Sequence, residues 1–98
     1  MNDDKIKYFH KTIKELKEIK NKYPGCSIYI FGSYIWGKPR NDSDIDIAIF
    51  AKNTSEYFDI HDDIEDSNSI FNFDILYLNT MTNISLKERI LKDGMQIW

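Results

Sequence analysis

Cysteine is almost missing from this 98-residue chain: Cys26 stands alone, so no intrachain disulfide can form. A single thiol reads as a small buried hydrophobe, and nothing in the cysteine usage points to secretion. Proline is limited to Pro24 and Pro39 and glycine to four positions, and no linker, internal repeat or low-complexity stretch divides the chain. An excess of positive charge is lacking too. Thirteen Lys and Arg stand against sixteen Asp and Glu, a net charge of −3. That argues against a nucleic-acid binder, which carries a basic face. It leaves room for a nucleotide whose charge is handled by metal. No apolar run is long enough to span a membrane, and Met1-Asn2-Asp3-Asp4-Lys5 lacks the apolar region of a leader, so a cytoplasmic location is the default expectation. What remains is a folding composition, 42% apolar with 30% charged, and a length suited to one modest core. Residues 1–98 are expected to form a single domain.

The spacing of Ile6, Phe9, Ile13, Leu16 and Ile19 predicts a helix over 3–22, ended by Pro24-Gly25. Residues 27–31 read as a buried strand, and Ser33 to Trp36 as a helical turn with Ser33 as its cap. A loop over 38–43 leads to a second strand over 45–50. An acidic helix over 56–67 follows, with Tyr57, Phe58, Ile60 and Ile64 as candidate buried positions. A third strand is expected over 71–78, and a last helix over 83–92 with Ile84, Leu86, Ile90 and Leu91. Gly94 stops it, and residues 95–98 form an extended tail. The order implies a small α/β (α+β) domain with a sheet of about three strands flanked by helices.

The chemistry is concentrated between the first two strands. Asp44-Ile45-Asp46 places two carboxylates two residues apart inside an apolar β-branched run, so both point to one face of a strand. Two Mg²⁺ ions about 4 Å apart need such oxygen ligands. The Gly32-Ser33 step ahead of them suits a tight turn whose N–H groups meet phosphate. Two decoys fail. Gly32-x4-Gly37-Lys38 continues with Pro39 where a P-loop needs Ser or Thr. Asp42-x-Asp44-x-Asp46 continues with Ile47 where a calcium loop needs Gly, and with Asn53 where it needs Glu. His10 and His61 have no partner at ligand spacing, so zinc is not expected. The acidic run 62–66 reads as a solvated helix face or as a surface for a basic partner.

Gly32-Ser33, then Gly37, then Ser43-Asp44-Ile45-Asp46, resembles the G-S-x-x-x-G…S-D-x-D signature of the polymerase-β-like nucleotidyltransferase superfamily. The length resembles its minimal nucleotidyltransferase (MNT) branch. The resemblance implies that Asp44 and Asp46 bind two Mg²⁺ ions and that a third carboxylate on a neighbouring strand completes the catalytic site. Asp74 is the one acid inside a predicted strand after Asp46. Gly32 and Ser33 would hold the triphosphate of ATP, with Arg40, and to a lesser extent Lys38, neutralising it. Members of this branch act as antitoxins that attach adenylate to a tyrosine of a HEPN-type toxin. The resemblance therefore implies a hetero-oligomer in which the partner, rather than a second domain, brings the hydroxyl. Two rivals stand beside this: an antitoxin that neutralises its partner by occlusion alone, and a transferase acting on a small molecule such as an antibiotic.

Overall fold

Apolar residues every three or four positions build helix α1 (Asp3–Lys22). Asp3 and Asp4 in its first turn and Lys20 and Lys22 in its last complement the helix dipole. The computed structural model describes residues 3–98; Met1 and Asn2, the start of the stretch read for a leader, lie outside the described residues. Helix α1 buries Phe9, Thr12, Leu16 and Ile19, whereas Ile6 of the predicted stripe is exposed. Thr12 is buried because its Oγ1 lies 2.8 Å from Ser69 Oγ, which satisfies the hydroxyl.

The chain continues through β1 (Ser27–Phe31), the single-turn α2 (Ser33–Trp36), β2 (Ile45–Phe50), α3 (Thr54–Glu65) and β3 (Phe73–Tyr77). A 3₁₀ turn (Leu78–Thr80), α4 (Ile84–Asp93) and β4 (Met95–Ile97) complete it. The sheet therefore has four strands, not three, in the order β3-β2-β1-β4. The tail pairs antiparallel with β1 through Ile28↔Ile97 and Ile30↔Met95. Three residues are too few to show alternation, so only the pairing reveals the strand. β1 runs antiparallel to β2, while β2 and β3 are parallel, with α3 in the crossover between them.

Alternation divides the strand residues between two cores. Ile28, Ile30, Ile45, Ile47, Ile49 and Ile97 cluster with residues of α1 and α3, including Leu16, Ile60 and Ile64. Phe31 and Ala48 cluster instead with Leu78 and with Ile90 of α4, flanked by Tyr29, Trp36, Leu76 and Leu86. The second cluster is smaller. Ile84 and Leu91, two of the apolar positions read in this helix, are 60% and 51% exposed, so α4 contributes only a narrow apolar line. Phe58 of α3 is likewise exposed, beside the buried Tyr57. Both later helices are capped by asparagine: Asn53 Oδ1 accepts from the Glu56 N–H (2.9 Å) and Asn83 Oδ1 from the Leu86 N–H (3.1 Å). Cys26 is buried, as its sequence context suggested. Among the described residues no helix is long and apolar enough to cross a membrane.

Candidate active site

The sheet register brings two of the expected acids side by side. Asp46 on β2 pairs with Asp74 on the parallel β3, and on its other side with Phe31 of β1. Neighbouring strands lie about 4.8 Å apart and paired residues project to the same face, so the two carboxylates are neighbours. Asp44 falls two residues before Asp46 and continues the same face by alternation. Asp46 is half-buried, while Asp44 and Asp74 are exposed. The Asp46 carboxyl is pushed above the ordinary aspartate range, first by burial, then by the charge of Asp74 and then by that of Asp44. Its electrostatics thus register both other acids.

The turn before α2 is built against this row. Gly32 has φ +78°, a conformation that side chains rarely adopt. A Cβ placed there would stand 2.9 Å from Asp46 Cγ and overlap its carboxylate oxygen Oδ2. Gly32 is therefore required by backbone angle and by close approach at once. It is also the cap of α2, contrary to the expectation that Ser33 caps it: the Gly32 carbonyl accepts from the N–H groups of Ile35 (2.9 Å) and Trp36 (3.0 Å). Ser33 is the first helical residue, and among the described residues no hydrogen bond occupies its hydroxyl. The left-handed angle overrides the usual preference for serine at a cap. Gly37 closes the turn, its N–H donating to the Ser33 carbonyl at 3.2 Å.

Tyr34 was not foreseen as a positioning residue. Its hydroxyl donates to the Ser43 carbonyl (3.1 Å), directly before Asp44, and its ring packs on Phe9 and Phe71 at 5.3 and 5.7 Å. Burial, followed by the charges of Asp44 and Asp42, pushes this phenol upward. In the loop, the Arg40 N–H donates to Ser43 Oγ (2.8 Å) and the Ser43 N–H to the Arg40 carbonyl (3.1 Å), so Ser43 shapes the turn into β2. The side chains of Lys38 and Arg40 are exposed, and among the described residues neither is paired with an acid.

As the side chains stand, no three His, Cys, Asp or Glu groups among the described residues close around a point that could hold an ion. Mg²⁺ does not ask for such a cage. It is bound through one or two carboxylates together with waters and substrate phosphates. Adjacent exposed and half-buried carboxylates beside the Gly32 turn fit that mode. The most evident groove lies elsewhere, between α1 and the end of α3. It has a volume of about 490 Å³ and is lined by Glu15, Glu18, Lys22, Asp63 and Asp66 among others. There Asp63 is already engaged by Lys22 Nζ (2.8 Å) and the Tyr23 hydroxyl (2.9 Å). The acid row lies outside this groove, since none of Asp44, Asp46 and Asp74 lines it.

A pH effect follows for the metal-free protein. A carboxyl whose pKa is raised on folding lends stability when protonated. That contribution is complete below the ordinary aspartate value of about 4 and is lost as pH rises through the shifted value. Asp46→Asn should therefore raise Tm near neutral pH in the presence of chelator, and the gain should vanish as pH falls towards about 4. Thermal melts over that range test it. A gain independent of pH would mean that charge is not the cause.

Comparison with known proteins was consistent with this geometry. The family model for polymerase beta, nucleotidyltransferase, matches residues 11–98. A candidate protein adenylyltransferase of Methanocaldococcus jannaschii is 34% identical over 94 residues, covering 85% of this chain and 95% of its own length. A second such protein from the same organism is 42% identical over 55 residues, covering 53% of this chain; the chain spans 64% of that relative's length. Among solved structures, a mutant MntA–HpeT toxin–antitoxin pair is similar at 25% identity and a TM-score of 0.60, covering all of this chain and 73% of the solved one. That mutant carries two Asp-to-Glu changes two positions apart.

Proposed function

Since this chain belongs to the polymerase beta nucleotidyltransferase family, we propose that it is a Mg²⁺-dependent enzyme transferring adenylate from ATP to a tyrosine hydroxyl of a HEPN-type toxin partner, and so acts as an antitoxin. The observation that carries this is the in-register pair Asp46 and Asp74 set against the Gly32 turn. Support for the nucleotide and the protein acceptor comes from relatives named as candidate adenylyltransferases. Support for the toxin partner comes from the toxin–antitoxin pair with the same fold. The two changes in that mutant have the spacing of Asp44 and Asp46.

In this reading Gly32 and Ser33 receive the triphosphate tail, Ser33 through its uncommitted hydroxyl and Gly32 by leaving out the side chain that would crowd Asp46. Arg40 and Lys38 meet the phosphate charge from the loop. Asp44, Asp46 and Asp74 would hold Mg²⁺, which when bound neutralises charge on the attacking and leaving oxygens. The tyrosine oxygen bonds to the α-phosphorus, the bond to the β-phosphate oxygen breaks, and pyrophosphate leaves. Asp74, the outermost and exposed acid, accepts the hydroxyl proton. Tyr34 keeps the α2 turn in step with Asp44 through Ser43.

Intact-mass spectrometry of the protein incubated with ATP, Mg²⁺ and its cognate partner is the test. The partner should gain one adenylate or a small multiple, and omission of Mg²⁺ should abolish the gain. A partner that is inhibited without a mass change would replace transfer by occlusion.

A further inference from the structure

Arg89, on α4, is far from the signature in sequence but not in space. Its guanidinium carbon lies 4.0 Å from the centroid of the Trp36 ring. Trp36 is the last residue of α2, and its N–H donates to the Gly32 carbonyl. Its ring lies 5.9 Å from that of Phe31, and Phe31 is the register partner of Asp46. Asp46, Phe31, Trp36 and Arg89 are therefore contiguous, with the Gly32–Ser33 turn between the first and third.

The chemistry of this arrangement is specific. A guanidinium lying over an indole face is held electrostatically and loses little freedom when it later binds. Stacking uses the plane of the group and leaves its N–H edges free, and those edges match phosphate oxygens in a two-pronged fashion. Among the described residues no carboxylate pairs with Arg89. Lys38 and Arg40, by contrast, hang from an exposed loop with no ring beneath them. A pre-positioned, unneutralised arginine beside a turn that approaches Asp46 is suited to an anion arriving over that turn.

We propose that Arg89, shelved on Trp36, binds the terminal phosphates of the nucleoside triphosphate and so positions the pyrophosphate leaving group. This rests on the nucleotidyltransferase reading and adds a residue outside the signature to it. A cation serving the terminal phosphates should separate triphosphate from monophosphate binding. An arginine that merely decorates the helix surface should not.

The test is calorimetry of the full chain with Mg²⁺ and either a non-hydrolysable ATP analogue or AMP. Arg89→Ala should weaken analogue binding about tenfold to a hundredfold while AMP binding changes less than about twofold. Arg89→Lys should restore only part of the loss, because a point charge lacks the stack and the fork. Trp36→Ala should move analogue affinity in the same direction, and Trp36→Phe, which keeps a ring for the guanidinium, should move it less. If wild type binds the analogue and Arg89→Ala binds it equally well, or loses AMP in parallel, the inference is overturned and the enzyme reading survives. A wild type that binds neither nucleotide overturns both.

Discussion

Asp44→Ala and Asp46→Ala should each lower adenylate transfer by at least about a hundredfold to a thousandfold, with the folded state retained. The size of the effect follows from what the carboxylates do. They concentrate negative charge on one face of β2, and Asp46 carries a raised pKa first through burial and then because Asp74 and Asp44 oppose its ionisation. Charges that repel one another in the free protein lend little to stability there, so their removal harms the reaction far more than the fold. Asp74→Ala should belong to the same class, since its Cα is the register partner of Asp46. Asp42→Ala provides the control. It deletes an exposed acid from the loop two residues before Asp44 and should leave transfer near the wild-type level. Rates measured by transfer of labelled adenylate to the partner would decide the matter. Near-normal transfer by Asp44→Ala or Asp46→Ala would end the metal-carboxylate reading.

Gly32→Ala should be nearly as damaging to transfer and far more damaging to the fold. Alanine at φ +78° is strained by about 1–2 kcal/mol, and its Cβ would stand on the Asp46 carboxylate. Either the turn opens or Asp46 moves, and both disrupt the alignment of phosphate turn and acids. A loss of about 1–3 kcal/mol, or roughly 5–20 °C in Tm, is expected together with loss of nucleotide binding. Gly25→Ala is the matched control, because a Cβ there meets nothing within 4 Å. A Gly32→Ala protein that melts and binds nucleotide like wild type would show that the turn is only a connector.

The acids were legible because charge inside an apolar β-branched run contradicts its surroundings, and Asp44, Asp46 and Asp74 are the places where that contradiction occurs. The stripe of Phe9, Leu16 and Ile19 was legible through its helical period. Ile84 and Leu91 obeyed the same period yet lie exposed, because α4 meets the sheet along a narrow line. Period alone does not say how wide the contact is. The fourth strand had too few residues to alternate. The caps Asn53 and Asn83 each stand three residues before the N–H they accept; the range 83–92 begins on its cap, whereas 56–67 begins three residues past Asn53. Ser33 does not cap α2 because the positive φ of Gly32 sets the cap, and a sequence displays side-chain preference but not backbone angle. Arg89 carried no local signal at all: its meaning lies in Trp36, more than fifty residues away in the chain and 4.0 Å away in space.

The parallel pairing of β2 with β3 also sets when the site comes into being. Asp46 and the Gly32 turn belong to neighbouring antiparallel strands, whose closure is local in sequence. Asp74 reaches them through a crossover that contains α3, and the loop entropy of that closure must be met before any β2–β3 contact repays it. In sequence terms the Gly32–Asp46 part of the row is local and the Asp74 part is not. On the proposed roles of these acids, enzymatic competence would report that folding has finished.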